Sequence, residues 1–279
     1  MSNTLASAIY VHEPLKWDFP LYEYIENNLK FCDFVYIVLT PPDDETIPLI
    51  EKMAKDNPRI RTISVPWNVY ADYKRHFAFK DACVCALQHD KIDWACFIDC
   101  DEILHERYFP IVRQLMEKND NRFYYIRRYN LWGDFKHMLK QNITQFQYAG
   151  CRLWPVRMMQ PGRVTGNQYY YDTNDDSANS DTQTEKIHMF HYTYMRKPDV
   201  MLDKAINMQM WKGGVPDGRV LAMKQNIGTW KPMEWCADGK HKMQVSDLDV
   251  IPESHPAVMQ KWISDRQQFY PDITIGGLS

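Results

Sequence analysis

Three acids close an apolar run in Trp94-Ala95-Cys96-Phe97-Ile98-Asp99-Cys100-Asp101-Glu102. Carboxylates at this density repel one another unless a cation or solvent compensates. In extended backbone Asp99 and Asp101 would project to the same side. Two hard oxygen donors at the carboxyl end of a strand suit Mg²⁺ or Mn²⁺, and such a cation can bridge a diphosphate and neutralise the charge that develops as it departs. The plainer alternative is a solvated turn with Asp101 capping a following helix, since a bare Asp-x-Asp recurs by chance. A second stretch with chemical content is His188-Met189-Phe190-His191-Tyr192-Thr193-Tyr194-Met195-Arg196, followed by Pro198 and Lys204. On a strand, His188 and His191 fall on opposite faces, which leaves one for the core and one for a ligand. A borderline cation such as Mn²⁺ accepts imidazole together with carboxylate.

The elements that must hold these residues alternate along the first 130 positions. Leu5–Val11 reads as a buried strand, and Pro20–Phe31 as a helix with Leu21, Tyr24, Ile25 and Leu29 on one face. Phe34–Leu39 is a second apolar run, broken by Pro41-Pro42-Asp43-Asp44. Asp44 can cap a helix that Asn57-Pro58 ends. Ile60–Val65, Trp94–Ile98 and Phe123–Arg128 read as further strands, and Tyr70–His89 and Arg107–Lys118 as helices. This alternation predicts an α/β fold, a mostly parallel central sheet with helices on both faces. In such sheets ligands bind beyond the carboxyl ends of the strands. Residues 131–213 are less regular: Asp172–Thr184 has almost no apolar side chains and reads as a mobile loop, and Asp199–Trp211 as a helix between Pro198 and Gly213-Gly214. The expected division is 1–213 as a catalytic domain, with a nucleotide-binding half over 1–130 and an acceptor and metal half over 131–213, and 214–279 as a helical or irregular extension.

A net charge of −3 gives no overall basic footprint for nucleic acid, although Arg127-Arg128 among tyrosines leaves room for a local groove. Seven cysteines, an odd number without a paired Cys-x-x-Cys pattern, speak for reduced structural thiols rather than a disulfide framework or a zinc site. No apolar stretch approaches 18 residues and no leader is evident at Met1–Ser7, so a cytoplasmic location is expected.

Taken together, the apolar strand ending in Asp99-Cys100-Asp101-Glu102 and the later histidine segment resemble the GT-A glycosyltransferases, in particular family-2-like members. The resemblance runs from Leu5 to about Lys204. It implies a Rossmann-like nucleotide-binding half, a nucleotide-sugar donor, a UDP-sugar being expected, and Mn²⁺ or Mg²⁺ as cofactor. It further implies that Asp99, Asp101 and His191 hold the metal, with Asp101 the direct ligand and Asp99 reaching the ribose or binding through water. His12-Glu13 stands where the family has Asn-Glu, so Glu13 matches and His12 departs. Asp43 falls where an acid reaches the nucleoside, Arg75 where a helix turns a basic residue toward the nucleotide, and Arg196 and Lys204 where cations meet phosphate. An inverting transferase needs a carboxylate to deprotonate the acceptor hydroxyl. The resemblance puts it between the acidic motif and His191, where Asp134 and Glu185 are the candidates. Trp132 is a candidate for stacking on a sugar ring. The expected acceptor is a glycan, lipid or protein. Phage-type glycosylation of modified DNA bases, which strong salt dependence of DNA binding would reveal, is one alternative; a non-catalytic nucleotide- or sugar-binding module is another. A nucleotidyltransferase would show a glycine-rich phosphate loop after its first strand, and Val11–Trp17 contains no glycine.

Overall fold

A computed structural model describes residues 3–40, 45–65, 75–117, 124–140, 152–159, 182–197, 199–201, 203–204 and 245–270. Its first half follows the sequence pattern closely. β1 (Leu5–Val11), β2 (Phe34–Leu39), β3 (Ile60–Ser64) and β4 (Trp94–Phe97) form a parallel sheet in the order β3-β2-β1-β4. β1 lies against β2 from Ala6↔Phe34 to Val11↔Leu39, and against β4 from Leu5↔Trp94 to Ala8↔Phe97. Strands covered on both faces need apolar residues on both, which is why β1 and β2 are near-continuous apolar runs.

The two faces receive different helices. Leu5, Ile9 and Val11 pack with Leu21, Tyr24 and Ile25 of α1 (Leu21–Phe31), while Ala6 and Ala8 meet Phe79, Cys83, Val84 and Leu87 of α3 (Arg75–His89). α2 (Thr46–Asp56) and α4 (Phe109–Glu117) join the α1 side through Ile50, Val112, Leu115 and Met116. Phe31 and Phe109 stack at 4.7 Å between ring centroids. The chain thus winds from β1 outward to β3 with helices on one face, then crosses back by α3 on the other to β4. That reversal makes the gap between the carboxyl ends of β1 and β4 a topological switch point, where an open α/β sheet binds ligands.

The sheet continues with antiparallel and parallel neighbours. β5 (Glu102–Leu104), β6 (Tyr124–Asn130), β8 (Arg152–Pro155) and β9 (Thr182–His191) extend it to the order β3-β2-β1-β4-β8-β6-β9-β5. β8 is antiparallel to β4 and β6, and β9 is parallel to β6 and antiparallel to β5. The β6–β9 register jumps between Ile126↔Thr184 and Arg127↔His188, so residues 185–187 bulge out of the ladder. A smaller antiparallel pair joins β7 (His137–Leu139) to β10 (Leu248–Val250).

Residues 245–270 pack onto the main body. Ile251, Met259, Trp262, Ile263 and Tyr270 share the core of α1 and β1, with Trp262 and Ile263 on α5 (Gln260–Ser264). Arg266 forms a two-pronged pair with Asp18 in the loop after β1, and His255 donates to the Phe135 carbonyl while accepting from the Tyr192 hydroxyl at 2.9 Å.

Several expectations change here. The loop expected over Asp172–Thr184 does not run to its end, because Thr182–Thr184 are β9 residues paired to Tyr124–Ile126. Backbone pairing holds this stretch, and threonine suits a pleated strand without an apolar pattern. Asp101 caps no helix, since β5 follows it directly. The helix after Ile103-Leu104 starts as a 3₁₀ turn at Glu106–Tyr108 before α4. Of the helix expected over 199–211, residues 199–201 and 203–204 are helical. Asp43, Asp44, the start of the helix expected from Tyr70 and the boundary at 213/214 lie outside the described residues.

Candidate active site at the carboxyl end of β4

Asp99 and Asp101 do not sit side by side on an extended strand. β4 ends at Phe97, and the Asp99 carbonyl accepts from the Glu102 N–H at 2.9 Å while the Asp99 N–H donates to Glu102 Oε2 at 2.9 Å. These two bonds close a turn. It leaves Asp99 exposed and turns Asp101 into the protein, where it is 4% exposed. The turn makes the acids unequal in a way their spacing does not reveal.

Asp101 lies in a buried charge cluster. Its Oδ2 accepts from Arg196 Nη2 at 2.6 Å, and its Oδ1 lies 3.9 Å from His191 Nε2. Arg196 is fully buried, its guanidinium carbon 3.7 Å from the Phe19 ring centroid, and Lys204 Nζ lies 4.7 Å from the same ring. Arg196 Nε and Nη1 have no hydrogen-bond partner among the described residues. Burial alone would raise the Asp101 pKa, but the surrounding His191, Arg196 and Lys204, with the Thr193 hydroxyl, hold it well below the carboxylate range. His191 cannot be the decisive cation. Its own burial, then Arg128, push it down to about 3, so it is neutral at pH 7 and Arg196 keeps Asp101 ionised. Burial, then Arg196, push Lys204 down to about 7.

The same environment reaches neighbouring groups. Glu102 pairs with Arg128 in the interior; burial pushes Glu102 up to about 8 against that partner, and Asp99 and Asp101 add to the rise. Tyr10, at the end of β1, is raised above the ordinary tyrosine range by burial and then by Asp99 and Asp101. His191 Nδ1 lies 2.7 Å from Asn130 Oδ1, its cross-strand partner in β6. His188 faces the other way and stacks on Tyr129 at 4.4 Å between centroids, with planes 3° apart.

Other sequence-selected residues occupy varied settings. His12 and Glu13 follow β1 at the switch point; His12 Nδ1 meets the Thr40 hydroxyl at 3.2 Å, and Glu13 binds Lys16 at 2.7 Å. Glu13 has φ 48, a left-handed conformation uncommon outside glycine, which bends the chain sharply away from β1. A narrow cleft at this point is lined by Ile9, Tyr10, Lys80, Cys83, Ile98 and Asp99. Lys80 and Tyr10 escaped the sequence reading because neither belongs to a motif. Asp134 is buried, and its Oδ1 accepts from the Lys136 N–H at 2.8 Å and from His137 Nδ1 at 2.7 Å. Trp132 is 2% exposed, with Tyr194 edge-on at 4.4 Å. It is therefore a packing residue, and the reading of it as a sugar platform is corrected. Glu185 lies in the β9 bulge; its side chain and that of Arg75 lie outside the described residues.

Asp101 Oδ1 and His191 Nε2 lie 3.9 Å apart, a separation that a shared cation could span. Among the described residues no group of three or more His, Cys, Asp or Glu is arranged to hold a metal ion, and Asp99 stands exposed at the turn. Two protein donors still fit a divalent cation of the Mg²⁺ or Mn²⁺ kind, which completes its shell with water and substrate phosphate oxygens. The described residues include no helix long and apolar enough to cross a membrane.

No protein-family model matches the chain, and no curated protein matches it. Among solved structures, TarS residues 1–349 from S. aureus aligns with a TM-score of 0.43 at 10% identity, over 80% of this chain and 71% of that one. A mannose-1-phosphate geranyltransferase from Thermus thermophilus aligns with a TM-score of 0.38 at 8% identity, over 56% of this chain and 58% of that one.

Proposed function

We propose that this chain transfers a sugar from a nucleoside-diphosphate sugar, a UDP-sugar, to a hydroxyl of a glycan, lipid or protein, with Mn²⁺ or Mg²⁺ as cofactor and with inversion. One observation carries the reading. At the carboxyl end of β4, beside the switch point, the buried Asp101 carboxylate meets Arg196 Nη2 at 2.6 Å with one oxygen and lies 3.9 Å from His191 Nε2 with the other. Arg196 balances the charge of Asp101 and keeps Nε and Nη1 without a hydrogen-bond partner among the described residues, and Lys204 adds positive charge once protonated, so a metal-bound diphosphate suits the cluster.

Asp101 and His191 would hold the cation. Bound there, it supplies Lewis-acid stabilisation of the departing diphosphate. Lys204, held near neutrality by burial, regains its proton when a phosphate approaches, so donor binding takes up a proton at Lys204 Nζ. Asp99, exposed at the turn, is free to reach the ribose or a water, and His12 and Glu13, which follow β1, are assigned to the nucleoside. Asp43, Arg75, Arg196 and Lys204 remain the nucleotide and phosphate contacts of this proposal. The acceptor hydroxyl must lose its proton as it attacks, and Asp134 and Glu185 are the carboxylates assigned to receive it.

A donor screen tests the reading. UDP release from UDP-sugars is expected with Mn²⁺ and lost without it, and Asp101→Ala abolishes it. Asp134→Asn and Glu185→Gln separate the two bases, since the true base lowers kcat while leaving donor binding intact. No turnover of any nucleoside-diphosphate sugar with either cation refutes the proposal.

A further inference from the structure

His191 can serve a cation only if its Nε2 offers a lone pair, and that depends on what its other ring nitrogen does. Asn130 and His191 are direct partners in the parallel β6–β9 ladder, and Asn130 is 5% exposed, so solvent hardly competes for its side chain. Its Oδ1 lies 2.7 Å from His191 Nδ1. A carboxamide oxygen only accepts, so Nδ1 must be the donor, and the neutral ring then carries its lone pair on Nε2. Nε2 points toward Asp101 Oδ1 at 3.9 Å, while the other carboxylate oxygen is taken by Arg196. Two electron-pair donors therefore face one another at a separation that a single cation, roughly 2.1 Å from each, would span. Without the Asn130 oxygen the ring can adopt the other tautomer and donate Nε2–H to Asp101, closing the gap with a proton instead.

We propose that Asn130 is a positioning residue that fixes the His191 tautomer and ring orientation, keeping Nε2 available as a cation ligand opposite Asp101. This rests on the proposed cation role of Asp101 and His191. It goes beyond that role, because it assigns selectivity to Asn130: the imidazole matters for Mn²⁺, which accepts nitrogen, and little for Mg²⁺, which prefers oxygen. Nothing in the sequence around Asn130 announces it; the strand pairing brings it to His191.

Mn²⁺ titrations followed by electron paramagnetic resonance, with Mg²⁺ affinity measured by competition, test it on the full chain as wild type, His191→Ala, Asn130→Leu and Asn130→Asp. Asn130→Leu is expected to weaken Mn²⁺ by about 10–100-fold, the usual effect of losing such a supporting hydrogen bond. It should match His191→Ala and leave Mg²⁺ affinity nearly unchanged. Asn130→Asp keeps the acceptor oxygen and should restore Mn²⁺ binding, which also decides the matter if the leucine variant does not fold. The inference is overturned if His191→Ala loses Mn²⁺ while Asn130→Leu keeps it. It is also overturned if Asn130→Leu weakens both cations alike, or if Asn130→Asp falls to the level of His191→Ala. A wild-type protein that binds no Mn²⁺ instead removes the cation role itself, and this inference with it.

Discussion

Replacing Arg196 with methionine removes the guanidinium that pairs with Asp101 at 2.6 Å and keeps much of the buried volume. Arg196 is fully buried and Asp101 4% exposed, so the orphaned carboxylate has little access to water. Removing one partner from such a pair typically costs roughly 3–5 kcal/mol. The contact with Phe19 adds up to about 2 kcal/mol in desolvated settings. Lys204 offsets part of this, because losing Arg196 removes its repulsion and favours its charged form. The net expectation is a loss of about 3–5 kcal/mol, measured by urea unfolding followed by tryptophan fluorescence, with an unchanged slope against denaturant. Arg196→Met/Asp101→Asn removes both charges and should be more stable than Arg196→Met, with a coupling of about 0.5–3 kcal/mol. A loss below about 1 kcal/mol in the single variant, outside the range for breaking a buried pair, would refute the picture of a buried pair. So would strict additivity in the double variant.

Acid should weaken the fold as the pH drops below about 6.5, the ordinary histidine value. Burial lowers the folded-state pKa of both His188 and His255, so the unfolded chain binds more protons on them in that window and their contribution is lost on acidification, while Glu102, pushed up to about 8, takes up its proton in the folded state and opposes them. Each histidine contributes at most about 1.4 kcal/mol per pH unit; urea midpoints at pH 7.5 and 5.5 for wild type and for His188→Phe and His255→Phe check it, and an acid-induced loss that is undiminished in both variants would contradict it. Arg266→Met should cost about 2 kcal/mol, the scale of a lost hydrogen bond to a charged partner, and should raise amide exchange in residues 245–270 and around Asp18. Unchanged exchange there would show that the Asp18–Arg266 pair does not hold the two segments together.

The first four strands and their helices are legible because strands buried on both faces are written as continuous apolar runs, as in Phe34–Leu39 and Trp94–Phe97. β5, β7 and β10 have three residues each and β8 four, too short for a periodic signal, and the polar start of β9 imitates a loop. The place of Asp101 just beyond an apolar strand is legible in the sequence. Its inequality with Asp99 is not, since that arises from two hydrogen bonds to Glu102. The Arg196 partnership, 95 positions away in sequence, and the Asn130–His191 contact, 61 away, exist only through the sheet. Trp132 illustrates the opposite failure: its aromatic face suggested a sugar platform, while its side chain is buried.

The central claim is that Asp101 and His191 bind a divalent cation together with a nucleoside diphosphate. Thermal unfolding with UDP, Mn²⁺, both and neither tests it most directly. The account expects a rise in Tm with both ligands that exceeds the effects of either alone, because each completes the other's site, and expects Asp101→Ala to lose that excess. No excess with any nucleoside diphosphate and either Mn²⁺ or Mg²⁺, or an undiminished excess in Asp101→Ala, would contradict it.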